Sequence, residues 1–151
     1  ATTEIYTLSL HDALPIYFGI MPSMLDHVGF SVSNMKVSRI FYEKALKPLG
    51  IIPLMEVTPE MTGTSDSHVG FGAGRPFFWI GTGGKVSVGT HVAFATESRK
   101  IVDEFYAAAI AAGGRDNGKP GLRPHYHEDY YGAFVLDPDG NNIEAVCHAP
   151  K

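Results

Sequence analysis

The chain has 151 residues, 44% of them hydrophobic and 19% charged, with a formal net charge of −4. That is one small domain's worth of sequence, long enough to bury a core, and its balance offers nothing to a nucleic acid or an anionic membrane surface. Cys147 is the only cysteine, which excludes an intrachain disulfide and a cysteine metal cluster and makes a reducing, cytoplasmic setting the default expectation; no apolar run is long enough to span a bilayer.

The first stretch, Ala1–Ile16, matches one reading frame of a common high-throughput sequencing adapter residue for residue. It has neither the basic start nor the continuous apolar centre of a signal peptide. Residues 1–20 are therefore expected to stand outside the fold, with the natural start at Met21 or Met24 and a single domain over 21–151.

Leu25–Val32 alternates and predicts a strand. Val28, Phe30 and Val32 share one face and call for a helix to pack on. His27, Gly29 and Ser31 share the other, which suits the lining of a cavity. Ser33 or Asn34 can cap the helix that follows, and Val37, Ile40, Phe41 and Ala45 give it an apolar stripe. Pro48 and Gly50 end it. Short strands are expected near Ile51–Glu56, His68–Gly72 and Phe77–Gly81, before a Gly-rich linker over Gly81–Gly89.

The second half repeats the plan. Val92 and Phe94 face a helix, while His91, Ala93 and Ala95 face a cavity. Ser98 or Glu97 opens a helix striped by Ile101, Val102, Phe105 and Ala109, and Gly113-Gly114 closes it. Arg115 to about Asp129 reads as a long polar loop. Tyr131–Leu136 and Asn142–His148 read as strands joined by a turn, since Pro138 presets its first residue and Gly140 supplies a positive φ. On the last strand Glu144 lies on the face opposite Ile143, Ala145 and Cys147.

The two halves are copies. His27 and His91 stand 64 residues apart in matching contexts, and the same offset relates Phe41 to Phe105, Tyr42 to Tyr106, Ala45 to Ala109 and Gly50 to Gly114. A duplicated strand-helix unit related by pseudo-symmetry brings equivalent strands together. His27, His91 and Glu144 are thereby expected to converge on a metal. Two imidazoles and a carboxylate suit a borderline divalent ion, and a buried Glu144 without a cation would be costly.

With its duplicated units, its paired histidines and the ending Leu136-Asp137-Pro138-Asp139-Gly140-Asn141-Asn142-Ile143-Glu144, the chain resembles the vicinal oxygen chelate superfamily. That group includes glyoxalase I, extradiol dioxygenases, fosfomycin-resistance thiol transferases and bleomycin-binding proteins. The resemblance covers Leu25 to His148. It implies an α+β fold of two pseudo-symmetric βαβββ modules, 24–84 and 88–148, forming a curved mixed sheet around a metal and substrate cavity. It also implies one divalent ion (Fe²⁺, Mn²⁺, Ni²⁺ or Zn²⁺) on His27, His91 and Glu144, binding two neighbouring oxygens of a small substrate and acting as a Lewis acid. The glutamate that glyoxalase I carries on the last strand of its first unit falls here on Trp79, which cannot ligate. That leaves a three-ligand pattern.

The stretch Arg123–Tyr131 gathers polar and aromatic groups, and long loops in compact domains are often functional. The resemblance makes His125 or His127, and Tyr131 or Tyr130, candidates for proton handling beside Glu144, with the register unfixed. Trp79, Arg123 and Tyr130 are expected to line the substrate cavity. His68 is assigned to the cavity or to the surface, and His148 to an exposed, idle position. The resulting expectation is a metal-dependent lyase or isomerase resembling glyoxalase I, or a dioxygenase, working as a homodimer. The rivals are a metal-free protein of the bleomycin-resistance kind, against which the intact triad argues, and a fosfomycin thiol transferase, for which Arg75, Arg115, Lys119 and Arg123 form no clear cluster.

Overall fold

The computed structural model describes residues 25–150, so the expectations for residues 1–20 and for a start at Met21 or Met24 lie outside the described residues. The first module runs β1 (Val28–Ser31), α1 (Met35–Ala45), β2 (Ile52–Val57), a short α2 (Pro59–Thr62), β3 (His68–Ala73) and β4 (Arg75–Gly81). The second runs β5 (His91–Ala95), α3 (Arg99–Ala111), β6 (Arg115–Leu122), β7 (Tyr131–Leu136) and β8 (Asn142–Cys147). Each module is thus a β-α-β-β-β unit. Their sheets are separate and four-stranded, in the orders β1-β4-β3-β2 and β5-β8-β7-β6, rather than one continuous surface.

Local signals set the element ends. The Asn34 side chain accepts a hydrogen bond from the Val37 amide at 3.1 Å, capping α1. Gly50, at φ 73°, closes the 3₁₀ turn that follows it, and Gly113, at φ 97°, follows α3; both are left-handed positions that suit glycine. The opening strand is shorter than its alternation predicts. It pairs with the parallel β4 from Val28 onward, so His27 precedes the ladder.

The face of α1 also departs from expectation. Val37 and Ile40 are 47% and 42% exposed, and the buried side of the helix is Ser38, Phe41, Tyr42 and Ala45. The expected stripe lies one position off around the helix, because the bulky aromatic pair Phe41-Tyr42 takes the centre of the core. Tyr42 meets Phe78 of β4 edge-on at 5.0 Å, and Phe78 meets Phe94 of β5 at 5.3 Å, so one aromatic cluster spans both modules. Helices α1 and α3 also pack on each other. The opposite faces of the sheets are left open.

The stretch expected to be a polar loop from Arg115 to about Asp129 is a strand, β6, as far as Leu122. Its apolar alternation is absent because it is an edge strand whose register against β7 slips at Gly118 and again before Gly121. Only the part after Leu122 is a loop. The turn after β7 is as predicted: Gly140 sits at φ 89° and its amide donates to the Asp137 carbonyl at 3.0 Å.

That turn is also the bolt between the modules. The buried Asp137 carboxylate accepts from the Tyr42 hydroxyl (2.6 Å), the Asn141 side-chain amide (3.0 Å) and the backbone amides of Asp139 (2.9 Å) and Asn141 (2.8 Å). Four donors on one carboxylate satisfy a charge that would otherwise be expensive to bury. Burial first, and then the neighbouring Asp137 charge and hydrogen bond, push the Tyr42 hydroxyl well above its ordinary range. Asp139 reaches the other way, accepting from the amide and the hydroxyl of Ser33 at the start of the first module's helix.

Candidate metal and substrate site

In the parallel pair β5–β8, Ala93 lies beside Glu144, and β7 places Phe134 on the other side of Glu144. Pleating sends Ile143, Ala145 and Cys147 into the core and Glu144 to the open face. Glu144 is nonetheless 1% exposed, because side chains close over it. His91 Nε2 lies 3.1 Å from Glu144 Oε2. The Tyr130 hydroxyl donates to Glu144 Oε1 at 2.5 Å. Gly132 makes the room: a Cβ there would stand 2.9 Å from Glu144 Oε1 and 3.1 Å from the Tyr130 ring.

Second contacts hold these groups. His91 Nδ1 lies 3.1 Å from the Asn142 carbonyl and 2.9 Å from its side-chain amide, which fixes the ring and turns Nε2 to the carboxylate. The His91 ring stacks on Phe134 with centroids 6.3 Å apart. Tyr130 is set by the loop, whose Arg123 amide donates to the Tyr130 carbonyl at 2.7 Å. Burial, then the hydrogen bond to Glu144 and its charge, raise the Tyr130 hydroxyl far above its ordinary range. Tyr130 therefore stays a proton donor at neutral pH. The cavity over this group, about 350 Å³, is lined by His91, Tyr126, Tyr130, Phe134, Asn142 and Glu144.

The donor set suits a metal in part. An imidazole nitrogen and a carboxylate oxygen at 3.1 Å are spaced as neighbouring ligands of one ion would be. The third expected ligand is elsewhere. His27, 61% exposed at its side chain, pairs with Asp26 at 2.7 Å and lines a separate cavity with Arg75, Phe77, Val92 and Phe94. The Asp26 carboxyl is held below its usual range by the His27 hydrogen bond first and by Arg75 next. Among the described residues no group of three or more His, Cys, Asp or Glu is close enough to hold an ion.

The other expected residues divide. Tyr131 is turned away: its hydroxyl donates to Asp103 of α3 at 2.8 Å, since adjacent strand residues point to opposite faces. His125 stands by Tyr126 (centroids 4.3 Å apart) in an adjoining cavity that Arg123 also lines. His127 is near the Tyr130 ring at 5.4 Å, but its Nε2 faces His148 Nδ1 at 2.5 Å. His148 is exposed as expected, and its ring stacks on that of His127. Trp79 and His68 line a cavity of about 240 Å³ on the first sheet, apart from Glu144 in this chain. Asn142, Phe134 and Gly132 were not anticipated. The alternation that points Glu144 outward also points Asn142 outward, but the cross-strand partners needed the register.

Residues 24–145 match the model of the Glyoxalase/Bleomycin resistance protein/Dioxygenase superfamily, and the chain belongs to that family. Among solved structures it is similar to a glyoxalase/bleomycin resistance protein from Albidiferax ferrireducens, at 31% identity and a TM-score of 0.68 over 85% of this chain and 100% of that one. Glyoxalase I from Zea mays shares the fold at 19% identity and a TM-score of 0.62, over 84% of this chain but 45% of that one. A glyoxalase/bleomycin resistance protein/dioxygenase family enzyme from Burkholderia phytofirmans does so at 19% identity and 0.60, over 83% and 98%. Comparison with curated proteins gives no match.

Proposed function

We propose that this chain is a metal-dependent enzyme of the vicinal oxygen chelate type, a glyoxalase-like lyase or isomerase or a dioxygenase, acting on a small molecule with two neighbouring oxygens. The observation that carries the reading is the His91–Glu144 pair at 3.1 Å on an open sheet face, backed by Asn142 and Tyr130. A bound Fe²⁺, Mn²⁺, Ni²⁺ or Zn²⁺ would act as a Lewis acid toward the substrate's oxygens.

The protein's own residues supply the rest. His91 offers Nε2 and Glu144 offers Oε2 as ligands, while Tyr130 keeps a proton on Oε1's side of the carboxylate and orients it. Phe134 and Tyr126 wall the substrate space. His27, standing outside the pair within its own chain, completes the set from a second copy, so the working unit is a homodimer with each site shared.

Calorimetric titration of metal-stripped protein with Ni²⁺ tests this. Wild type binds one ion per chain, and His91→Ala and Glu144→Gln each weaken binding by about a hundredfold or more. Absence of uptake by wild type at micromolar Ni²⁺ sinks the reading and favours a metal-free binding protein.

A further inference from the structure

The cavity above Glu144 continues into a second one. The two share Tyr126, Phe134 and Asn142, and the second, about 270 Å³, adds Asn117, Gly118, Arg123 and His125. None of these added residues is a carboxylate. The side-chain amide of Asn117 donates to Asn142 Oδ1 at 3.0 Å, and Asn142 in turn holds His91, so a polar chain joins the two spaces.

Arg123 is built into this wall. Its guanidinium lies over Phe134, 5.6 Å from the ring centroid. Nη2 donates to the Lys119 carbonyl at 2.7 Å and Nη1 to the Leu122 carbonyl at 3.2 Å. The strand yields to seat it. A Cβ on Gly121 would stand 3.0 Å from Nη1, and one on Gly118 would stand 2.8 Å from the Phe134 ring and 3.5 Å from Nη2. These are the two glycines at which β6 slips register. Among the described residues no carboxylate lies within ion-pair distance of Arg123, while Arg39 has two and Arg75 and Arg99 one each. A guanidinium carries more N–H donors than two carbonyls use. The result is a pre-oriented, unneutralised cation facing a space that opens onto the proposed metal ligands.

We propose that Arg123 is a specificity residue that receives a carboxylate of the substrate, so that the molecule chelated at His91 and Glu144 is an anion whose charged group lies across Phe134 from the oxygen pair. This rests on the proposed function for the position of the oxygen pair, but the anion preference is measurable without it. Charge-assisted bonds to a fixed guanidinium are among the stronger polar contacts, and Phe134 limits access of water from one side.

The test compares 3,4-dihydroxybenzoate with its uncharged methyl ester, by calorimetry, on Ni²⁺-loaded and on metal-stripped protein. The acid binds wild type about tenfold or more tightly than the ester in the loaded form, and the acid remains the better ligand, though weaker, in the stripped form. Arg123→Gln abolishes the preference without changing Ni²⁺ affinity, and Arg123→Lys retains part of it, with thermal unfolding confirming that both variants are folded. Equal binding of acid and ester by wild type, no binding of the acid, or an undiminished preference in Arg123→Gln overturns the proposal. Failure of Ni²⁺ to bind while the stripped protein still prefers the acid overturns the metal reading and leaves this one standing.

Discussion

Trp79 and Glu144 occupy the same place in the two halves of the molecule. Trp79 lies beside Gly29 in the parallel pair β1–β4, and Glu144 lies beside Ala93 in β5–β8. Gly29 and Ala93 are related by the offset that relates His27 to His91. Duplication therefore gave both sheets an equivalent outward position, and the two have diverged. The indole lies over Gly70, where a Cβ would meet it at 2.7 Å. The carboxylate lies by Gly132. One sheet offers an aromatic surface, and the other offers an acid with a histidine.

Removing the hydroxyl that caps this acid should be felt twice. Tyr130→Phe leaves Glu144 Oε1 buried without its donor, so the metal-stripped protein should lose about 1–3 kcal/mol in urea unfolding. If Glu144 is a ligand, Ni²⁺ affinity should also fall by about tenfold or more. Tyr131→Phe, whose hydroxyl bonds Asp103 instead, should leave Ni²⁺ affinity unaltered. An equal effect of the two variants on the metal would refute the assignment of Tyr130 as the residue that orients Glu144.

The bolt between modules predicts a pH dependence. The Tyr42 hydroxyl is raised in the folded protein above the unfolded value of about 10. Its stabilisation is therefore complete below pH about 10 and is lost as pH rises from there toward the folded value, because the unfolded chain ionises first. Tyr42→Phe should cost about 1–3 kcal/mol at neutral pH and remove this part of the alkaline loss. Chemical denaturation at pH 7 and above pH 10 checks both statements, and a variant as stable as wild type would show that Asp137 does without this donor.

Much of this arrangement was legible in the residues. The repeat of His27 and His91, the Asp137–Asn142 turn and the outward position of Glu144 follow from alternation and turn chemistry, and they led to the family and to both modules. What was missed depends on partners far along the chain. Strand β6 lacks an alternating pattern because its glycine bulges break it, so it reads as loop. Tyr130 and Tyr131 are adjacent and alike, and only the register against β8 tells which one faces Glu144. The α1 stripe fails at Val37 and Ile40 because two aromatics claim the core side. His27 and His91 match in sequence, yet their modules pack helix on helix within one chain, and this leaves the two rings in different cavities.

The paired histidines outside the site give a negative prediction. His127 and His148 contact each other and the Tyr130 ring, but neither bonds Glu144. His127→Ala or His148→Ala should therefore leave Ni²⁺ affinity within about threefold of wild type, since within the site both touch only the Tyr130 ring and neither touches His91 or Glu144. A loss as large as that of His91→Ala would mean that the ion sits at this pair.

The central claim is that His91 and Glu144 of one chain share an ion with the His27 of a second copy, and mixing two broken variants tests it most directly. His27→Ala and Glu144→Gln should each bind Ni²⁺ poorly alone. When they are refolded together, random pairing restores one intact site in each mixed dimer, so calorimetry should recover tight binding at about one quarter of the wild-type capacity. Wild type refolded in the same way is the reference. Tight binding by either variant alone, or no recovery in the mixture while refolded wild type binds fully, would contradict a site shared between copies.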